Sequence, residues 1–401
     1  MSKKLFTVMA VLVMAAMILS ACAPAATTEA PTQPPAPTAV PATAVPPTAV
    51  PATTTVPPTV APTTVPPTVA PTKAAMKFCL ITDTGGINDK SFNASAWLGL
   101  TDAQTKLGAT VKYLQSQQQT DYAKNIQACI DDKSNLIVTV GFLLGGGTAD
   151  AAKANPNQPF AIVDYCYGTD SPLCDATAGP FNNVLGLTFA TDQAAFLAGY
   201  LAAGMTKTGK VGTFGGLLIP TVTIFEDGYY AGVQYYNKVH TTKVAVLGWD
   251  PAHPDKGLAA GGFTDQTKGK DLGNSLLQEG ADIIMPVAGG VGLGAAAAVK
   301  ANGKALIIGV DQDWTVTNPD YSSITLTSVE KVISVAVYSA AQAVNDGTFK
   351  GGAYTGTLAN NGVRLSPFHD LDSTVPAALK AELDQLKADI ISGKVSVKPV
   401  P

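Results

Sequence analysis

Short apolar runs alternate with helical patterns along most of this 401-residue chain, and that alternation constrains the fold more tightly than any other feature. The runs fall at 78–82, 111–114, 136–140, 160–164, 184–189, 211–214, 244–248, 283–287, 306–310 and 324–328, and most are rich in Val, Ile and Leu. Continuous hydrophobicity is the mark of parallel strands covered on both faces. Between the runs lie amphipathic stretches such as 91–107, where Ala96, Leu100, Ala103 and Leu107 share one face and Trp97 flanks it as a core residue. This pattern predicts an α/β fold of doubly wound sheets, which bind ligands outside the carboxyl ends of their strands. The final helical stretch, 377–391, follows the alternation and is expected to pack across a lobe.

The strand ends carry the chemistry. The first run ends at Asp83, the fourth at Asp164, and the ninth at Asp311 with Asp313 just beyond. The run 283–287 leads into Ala288-Gly289-Gly290, and 244–247 into Gly248-Trp249-Asp250. A single surface carboxylate means little, but several at one ligand-facing edge predict a site. The richest segment is Asp83-Thr84-Gly85-Gly86-Ile87-Asn88-Asp89-Lys90-Ser91-Phe92-Asn93, which joins a strand to a helix. A carboxylate, a glycine turn and an aromatic in the first helical turn can grip a small polar ligand with a flat face. Asp83 and Phe92 are its main candidates, while Asn88, Asp89 and Lys90 are expected to shape the turn.

Lys3 and Lys4, the apolar stretch 5–19 and the small-residue site Leu19-Ser20-Ala21-Cys22 read as a secretory signal over 1–21, not a membrane helix. The site resembles the bacterial lipobox, in which the cysteine, here Cys22, is lipidated. Segment 22–75 is almost wholly Pro, Thr, Ala and Val after that cysteine, with only Glu29 and Lys73 charged. It lacks the residues for a core and favours polyproline II. At about 3.1 Å per residue it would reach on the order of 150 Å, a disordered stalk lifting a folded body off the membrane. The body is expected to form two lobes, 76–190 with part of about 314–346, and 191–313 with part of 347–401. A formal net charge of −4 and the lack of a basic stripe argue against nucleic acid. Cys79, Cys129, Cys166 and Cys174 remain in an exported chain, with three possible pairings. Cys166 and Cys174 flank a short polar loop and are the economical pair. Cys79 and Cys129 would then pair or stay buried as thiols.

Catalytic sets are poorly supplied. His240, His253 and His369 lack metal-ligand spacing, and no G-x-S-x-G elbow occurs. Paired carboxylates for glycoside hydrolysis remain open, since their separation cannot be read from sequence. Gly290-Val291-Gly292-Leu293-Gly294-Ala295 matches the dinucleotide pattern G-x-G-x-x-A, with Asp311 about twenty residues on. An exported chain meets little nicotinamide cofactor, so an oxidoreductase is disfavoured. No cofactor, no metal and no enzymatic activity are expected, and a receptor that closes on its ligand fits better.

The 83–93 motif, followed by Ala96-Trp97-Leu98-Gly99, closely resembles the opening signature of the basic membrane protein family, purine-nucleoside-receptor lipoproteins of bacterial ABC transporters. Val140-Gly141-Phe142, Phe160-Ala161-Ile162-Val163-Asp164, Phe225-Glu226-Asp227-Gly228-Tyr229, Ile308-Gly309-Val310-Asp311 and Thr327-Ser328-Val329-Glu330-Lys331 are similar to the same family, in order over 77–345. The resemblance implies a type I periplasmic-binding-protein fold, a monomer with a nucleoside in the cleft, ABC permease partners and a lipid anchor at the extracytoplasmic face of the cell membrane. It implies that Phe92 stacks on the base, that Asp83 and Asp164 hydrogen-bond it, and that Asn93 joins the site. Asp311 and Lys331 would hold the ribose hydroxyls, and Gly289 would give close backbone approach. The chain departs from the family in a longer 165–180 segment and an apparent insertion at 251–262, where the second stacking aromatic belongs; Phe263 is preferred there to Trp249. A signalling receptor using the same cleft is the alternative, and neighbouring genes would discriminate.

Overall fold

The computed structural model describes residues 74–168 and 173–399. The expected leader, Cys22 and all but the last two residues of the stalk lie outside them. The chain first lays down β1 (Lys77–Ile81), β2 (Thr110–Leu114), β3 (Leu136–Val140) and β4 (Phe160–Val163). The two-residue β5 (Cys166–Tyr167) and β6 (Cys174–Asp175) follow, then β7 (Val184–Phe189). Next come β8 (Lys210–Gly215), β9 (Ala245–Leu247), β10 (Ile283–Val287), β11 (Leu306–Asp311) and β12 (Thr325–Lys331). The series ends with β13 (Gly352–Gly356) and β14 (Val363–Leu365).

These strands form two six-stranded sheets, β13-β7-β4-β3-β1-β2 and β14-β12-β11-β10-β8-β9. Every pairing in the first is parallel, and in the second only β12 with β14 is antiparallel. The central strands β3, β4 and β10 are buried at every position, which is why they read as unbroken apolar runs. Each sheet is the floor of one lobe. The chain passes between lobes after β7, after β12 and after β13. Two backbone bonds tie these passages together, Ala190 N to Gly356 O at 2.8 Å and Val332 N to Gly362 O at 2.9 Å.

The structure moves one expected boundary. The second lobe does not stop at 313, because β12 pairs with β11 over Ile307–Asp311 and carries the second sheet on to Lys331. The helix Ile333–Asn345 then packs on Phe92–Leu107, and β13 joins the first sheet beside β7. β12 also runs three residues past the apolar stretch expected to end at 328. Its added residues include Glu330 and Lys331, which break the hydrophobic pattern yet are 7% and 4% exposed. Both are buried because both are paired, Glu330 with Arg364 at 2.7 Å and Lys331 with Asp164 at 2.5 Å. β13 and β14 gave no signal at all, being short edge strands, β13 mostly exposed and β14 only three residues long.

Glycine sets the closest helix contact. A methyl at Gly199 would lie 2.0 Å from the Tyr229 carbonyl oxygen, and one at Gly232 would lie 2.0 Å from that of Phe196. The helices Thr191–Met205 and Pro220–His240 therefore touch backbone to backbone. Leu379, Leu383, Leu386 and Ile390 of the last helix, Ala377–Ile391, are buried, and that helix packs on Thr191–Met205. In the first lobe Cys79 of β1 is bonded to Cys129 of the helix Tyr122–Asp131, and Cys166 is bonded to Cys174.

The Cys79–Cys129 bond closes a sequence separation of 50. Replacing both cysteines by Ala is expected to lower the unfolding free energy by about 2–5 kcal/mol in a denaturant titration. A change below about 1 kcal/mol would show that the bond adds little to the first lobe.

Candidate functional site

The carboxyl ends of both sheets open on one cavity, and the chain just beyond them supplies its walls. All eight residues singled out from sequence line it: Asp83, Phe92, Asn93, Asp164, Phe263, Gly289, Asp311 and Lys331. The first lobe contributes Asp83, Phe92, Asn93 and Asp164, and the second contributes the other four. Trp249 lies elsewhere. It is 4% exposed and its Nε1 donates to Asp227 Oδ1 at 2.9 Å, while Phe263 stands against the cavity beside Gly289.

The 83–93 motif builds the first wall. Asp89 accepts hydrogen bonds from the backbone amides of Ser91, Asn93 and Ala94 at 2.8–3.0 Å, so it caps the helix Phe92–Leu107 and fixes where that helix begins. The turn-shaping role expected of Asp89 is what these bonds perform. The cap presents Phe92 and Asn93 from the first turn. Asn93 Nδ2 donates to Asp83 Oδ1 at 2.8 Å and to Asp89 Oδ2 at 3.1 Å, and Gly85 N also donates to Asp83 Oδ1 at 2.8 Å. Burial, partly offset by those hydrogen bonds, lifts the Asp83 carboxyl to about 6.

A buried charge cluster joins the lobes. Lys331 Nζ lies 2.5 Å from Asp164 Oδ2 and 4.0 Å from Asp311 Oδ1. The rings of Phe92, Phe225 and Phe189 surround the same ammonium at 4.9, 5.3 and 5.8 Å. Burial raises the Asp164 carboxyl, and the lysine opposes that rise. Ser91 Oγ donates to Asp311 Oδ2 at 2.6 Å and Gln312 Nε2 donates to Ser91 O at 2.7 Å, two further bonds between lobes. Asp164 and Asp311 both sit in the left-handed backbone region, at φ 65° and 69°. That conformation is uncommon outside glycine, and two carboxylates held in it at one cavity are a mark of a functional site. Asp164 therefore stands in one cluster with Asp311 and Lys331.

Sequence reasoning passed over another stretch of wall. Ile219, Thr221, Val222 and Phe225 line the cavity from the start of the helix Pro220–His240. The signal was present: β8 ends in Gly-Gly, and Pro220 opens the helix, a strand–glycine–helix passage like that at 83–93. Phe142, just past β3, was missed as well, though it stood in a family motif. The dinucleotide-like glycines have another reason to exist. A methyl at Gly292 would meet Trp314 at 2.9 Å, and one at Gly294 would meet the Gln266 carbonyl oxygen at 1.9 Å, so both serve packing. The three histidines pair with carboxylates away from the cavity: His240 with Glu382, His253 with Asp250 and His369 with Asp313. Among the described residues no cluster of three or more potential ligands is placed to hold a metal, and no helix is long and apolar enough to cross a membrane.

Comparison with known proteins places this geometry in a family. The model of the PnrA-like ABC transporter substrate-binding proteins matches residues 77–399, well past residue 345, where the run of family-like motifs ends. The ABC transporter nucleoside-binding protein BmpA of Lactococcus lactis subsp. cremoris is 34% identical over 343 residues, covering 81% of this chain and 90% of the relative. An uncharacterised lipoprotein of Pyrococcus abyssi is 33% identical over 308 residues, covering 74% of this chain and 70% of its own. Among solved structures, a solute-binding protein of an ABC transporter system from Aeropyrum pernix K1 superposes with a TM-score of 0.70 at 27% identity, covering 81% of this chain and 94% of that one. The chain belongs to the PnrA-like family of ABC transporter substrate-binding proteins, a family of binders and not of enzymes.

Proposed function

We propose that the protein captures a nucleoside, with purine nucleosides preferred, between its lobes and delivers it to the permease of an ABC importer. It would work at the extracytoplasmic face of the cell membrane, held there through lipidated Cys22. The observation that carries the reading is convergence: eight residues chosen from motifs spread over 83–331 line a single cavity between the strand ends of two lobes. The ligand class draws support from the L. lactis relative, whose name is that of a nucleoside-binding protein. The anchor draws support from the P. abyssi relative, whose name is that of a lipoprotein.

The chemistry suits a neutral molecule with a flat ring and a diol. Phe92 and Phe263 come one from each lobe, so a base between them would be gripped only when the lobes meet. Each aromatic contact contributes roughly 0.5–1.5 kcal/mol beyond area burial. Asp311 would accept hydrogen bonds from the ribose hydroxyls, and Lys331 beside it would balance the buried charge. A site built on such bonds rejects analogues that lack the hydroxyls, because its own carboxylate is then left unpaired. Asp83 would meet the base edge, and Asp164, already holding Lys331, keeps its second oxygen for the ligand. Gly289, at φ 53° and without a Cβ, would let the main chain approach the ligand closely.

Calorimetric titration with nucleosides, free bases, sugars and amino acids is the test. Nucleosides are expected to bind, and a result in which another solute class binds while no nucleoside does would overturn the reading. Asp311→Ala should weaken nucleoside affinity by about tenfold or more in the same titration; unchanged affinity would remove Asp311 from the site. Lys331→Met should lower the unfolding free energy by about 3–5 kcal/mol in urea, since it leaves Asp164 and Asp311 buried without their cation. Adding Asp164→Asn should recover a large part of that loss, and no recovery would show that the two side chains are not coupled.

A further inference from the structure

The two departures of this chain from its family, the longer 165–180 segment and the apparent insertion at 251–262, lie in different lobes, and the structure brings them to one groove. Leu173 lines it from the first lobe, and Trp249 and Pro251 line it from the second, where the insertion begins. Ile224, Asp227 and Tyr230 of the helix Pro220–His240 line it too, on a different face of that helix from Thr221, Val222 and Phe225. None of the six lines the ligand cavity. Leu173 is 7% exposed and Trp249 is 4% exposed, yet neither belongs to the hydrophobic cores of the lobes. Two large apolar side chains buried outside the cores, on one groove and from opposite lobes, form a satellite cluster between them.

Both are rigidly mounted. Leu173 adjoins Cys174, which is bonded to Cys166 and pairs with it in the β5–β6 ladder. Gly168 N donates to Asp175 O at 2.8 Å, and Tyr167 Oη donates to Gly145 O at 2.7 Å, which ties the ladder to the first lobe. In the second lobe the Trp249 ring lies against the main chain of the insertion, because a methyl at Gly257 would meet its Cε3 and Cζ3 at 2.6 Å. Its Nε1 is held by Asp227, and Leu258 N donates to Gly248 O at 2.8 Å, which closes the insertion behind it. Gly215 N donates to Leu258 O and Ala260 N to Gly215 O, both at 2.9 Å, so the insertion is bonded to the end of β8.

We propose that Leu173 and Trp249 form an apolar latch between the lobes, outside the ligand cavity, that sets how long a captured ligand is held. The inference rests on the reading of the cleft as a site that closes on its ligand, and it is independent of which ligand that is. A bound molecule leaves only when the lobes part, and parting them exposes the leucine and the indole to water. The latch therefore slows release. It adds nothing to the encounter with a ligand, which takes place while the lobes are apart, so its effect falls on the dissociation rate.

The test compares the full-length wild type with Leu173→Ser and Leu173→Met. Stopped-flow displacement of bound guanosine and adenosine should show release about tenfold faster from Leu173→Ser, with association changed by less than about twofold. Leu173→Met keeps the apolar contact and should release at the wild-type rate. Hydrogen exchange at 249–258, followed by mass spectrometry without ligand, reads the latch separately: it should be faster in Leu173→Ser than in wild type, with exchange in β10 the same in both. Unchanged release from Leu173→Ser would overturn the proposal and leave nucleoside capture standing. Binding of neither nucleoside, with faster exchange in Leu173→Ser, would overturn the nucleoside reading and leave the latch standing; with equal exchange it would overturn both.

Discussion

The ammonium of Lys331 reaches across the cleft to Asp164 at 2.5 Å and stands 4.0 Å from Asp311, and both carboxylates belong to strand ends. An ammonium and carboxylates this deeply buried are tolerated only with close partners, because each alone would lose its hydration without compensation. The geometry of the cleft follows from that requirement. β12 must run on to residue 331 to deliver the lysine, and β4 must turn sharply to deliver Asp164, which it does in a left-handed conformation that a carboxylate side chain tolerates better than most. Three aromatic rings close around the ammonium and exclude water from it. The lobes thus share a buried ion pair beside the apolar core that runs through both of them.

The charge left over shapes what can enter. Asp83, Asp89, Asp164 and Asp311 line the cavity, and Lys331 is the one cationic side chain among the described residues lining it. Such a surface repels phosphate and carboxylate, so a neutral, donor-rich solute suits it and a nucleotide does not. The same excess weighs against a dinucleotide, as does the packing role of Gly292 and Gly294. Asp89 is saturated by the Ser91, Asn93 and Ala94 amides and the Asn93 side chain, and Asp164 is tied to Lys331, which leaves Asp83 and Asp311 as the less committed carboxylates of the lining.

Much of the fold was legible because parallel strands buried on both faces leave continuous apolar runs. The strands that escaped, β13 and β14, lie at sheet edges; β13 carries mostly exposed residues and β14 is only three residues long. β12 was cut short for a different reason: Glu330 and Lys331 look like surface residues until their partners, Arg364 and Asp164, are known to lie beside them. Those partners are 34 and 167 positions away, and no local pattern reports such a pairing. The strand-end carboxylates were visible as a set, but the ion pair that ties Asp164 to Lys331 was not, because no local pattern reports it. Asn93 was legible only through resemblance, since what sets it apart is a hydrogen-bond network with Asp83 and Asp89 that no local pattern reports.

The most direct measurement is a crystal structure of the protein grown with guanosine. The account predicts the base between Phe92 and Phe263, its polar edge toward Asp83, and the ribose hydroxyls at Asp311 with the Lys331–Asp164 pair intact. Guanosine bound elsewhere on the protein, or in the cleft with its ribose toward Asp83, would contradict it.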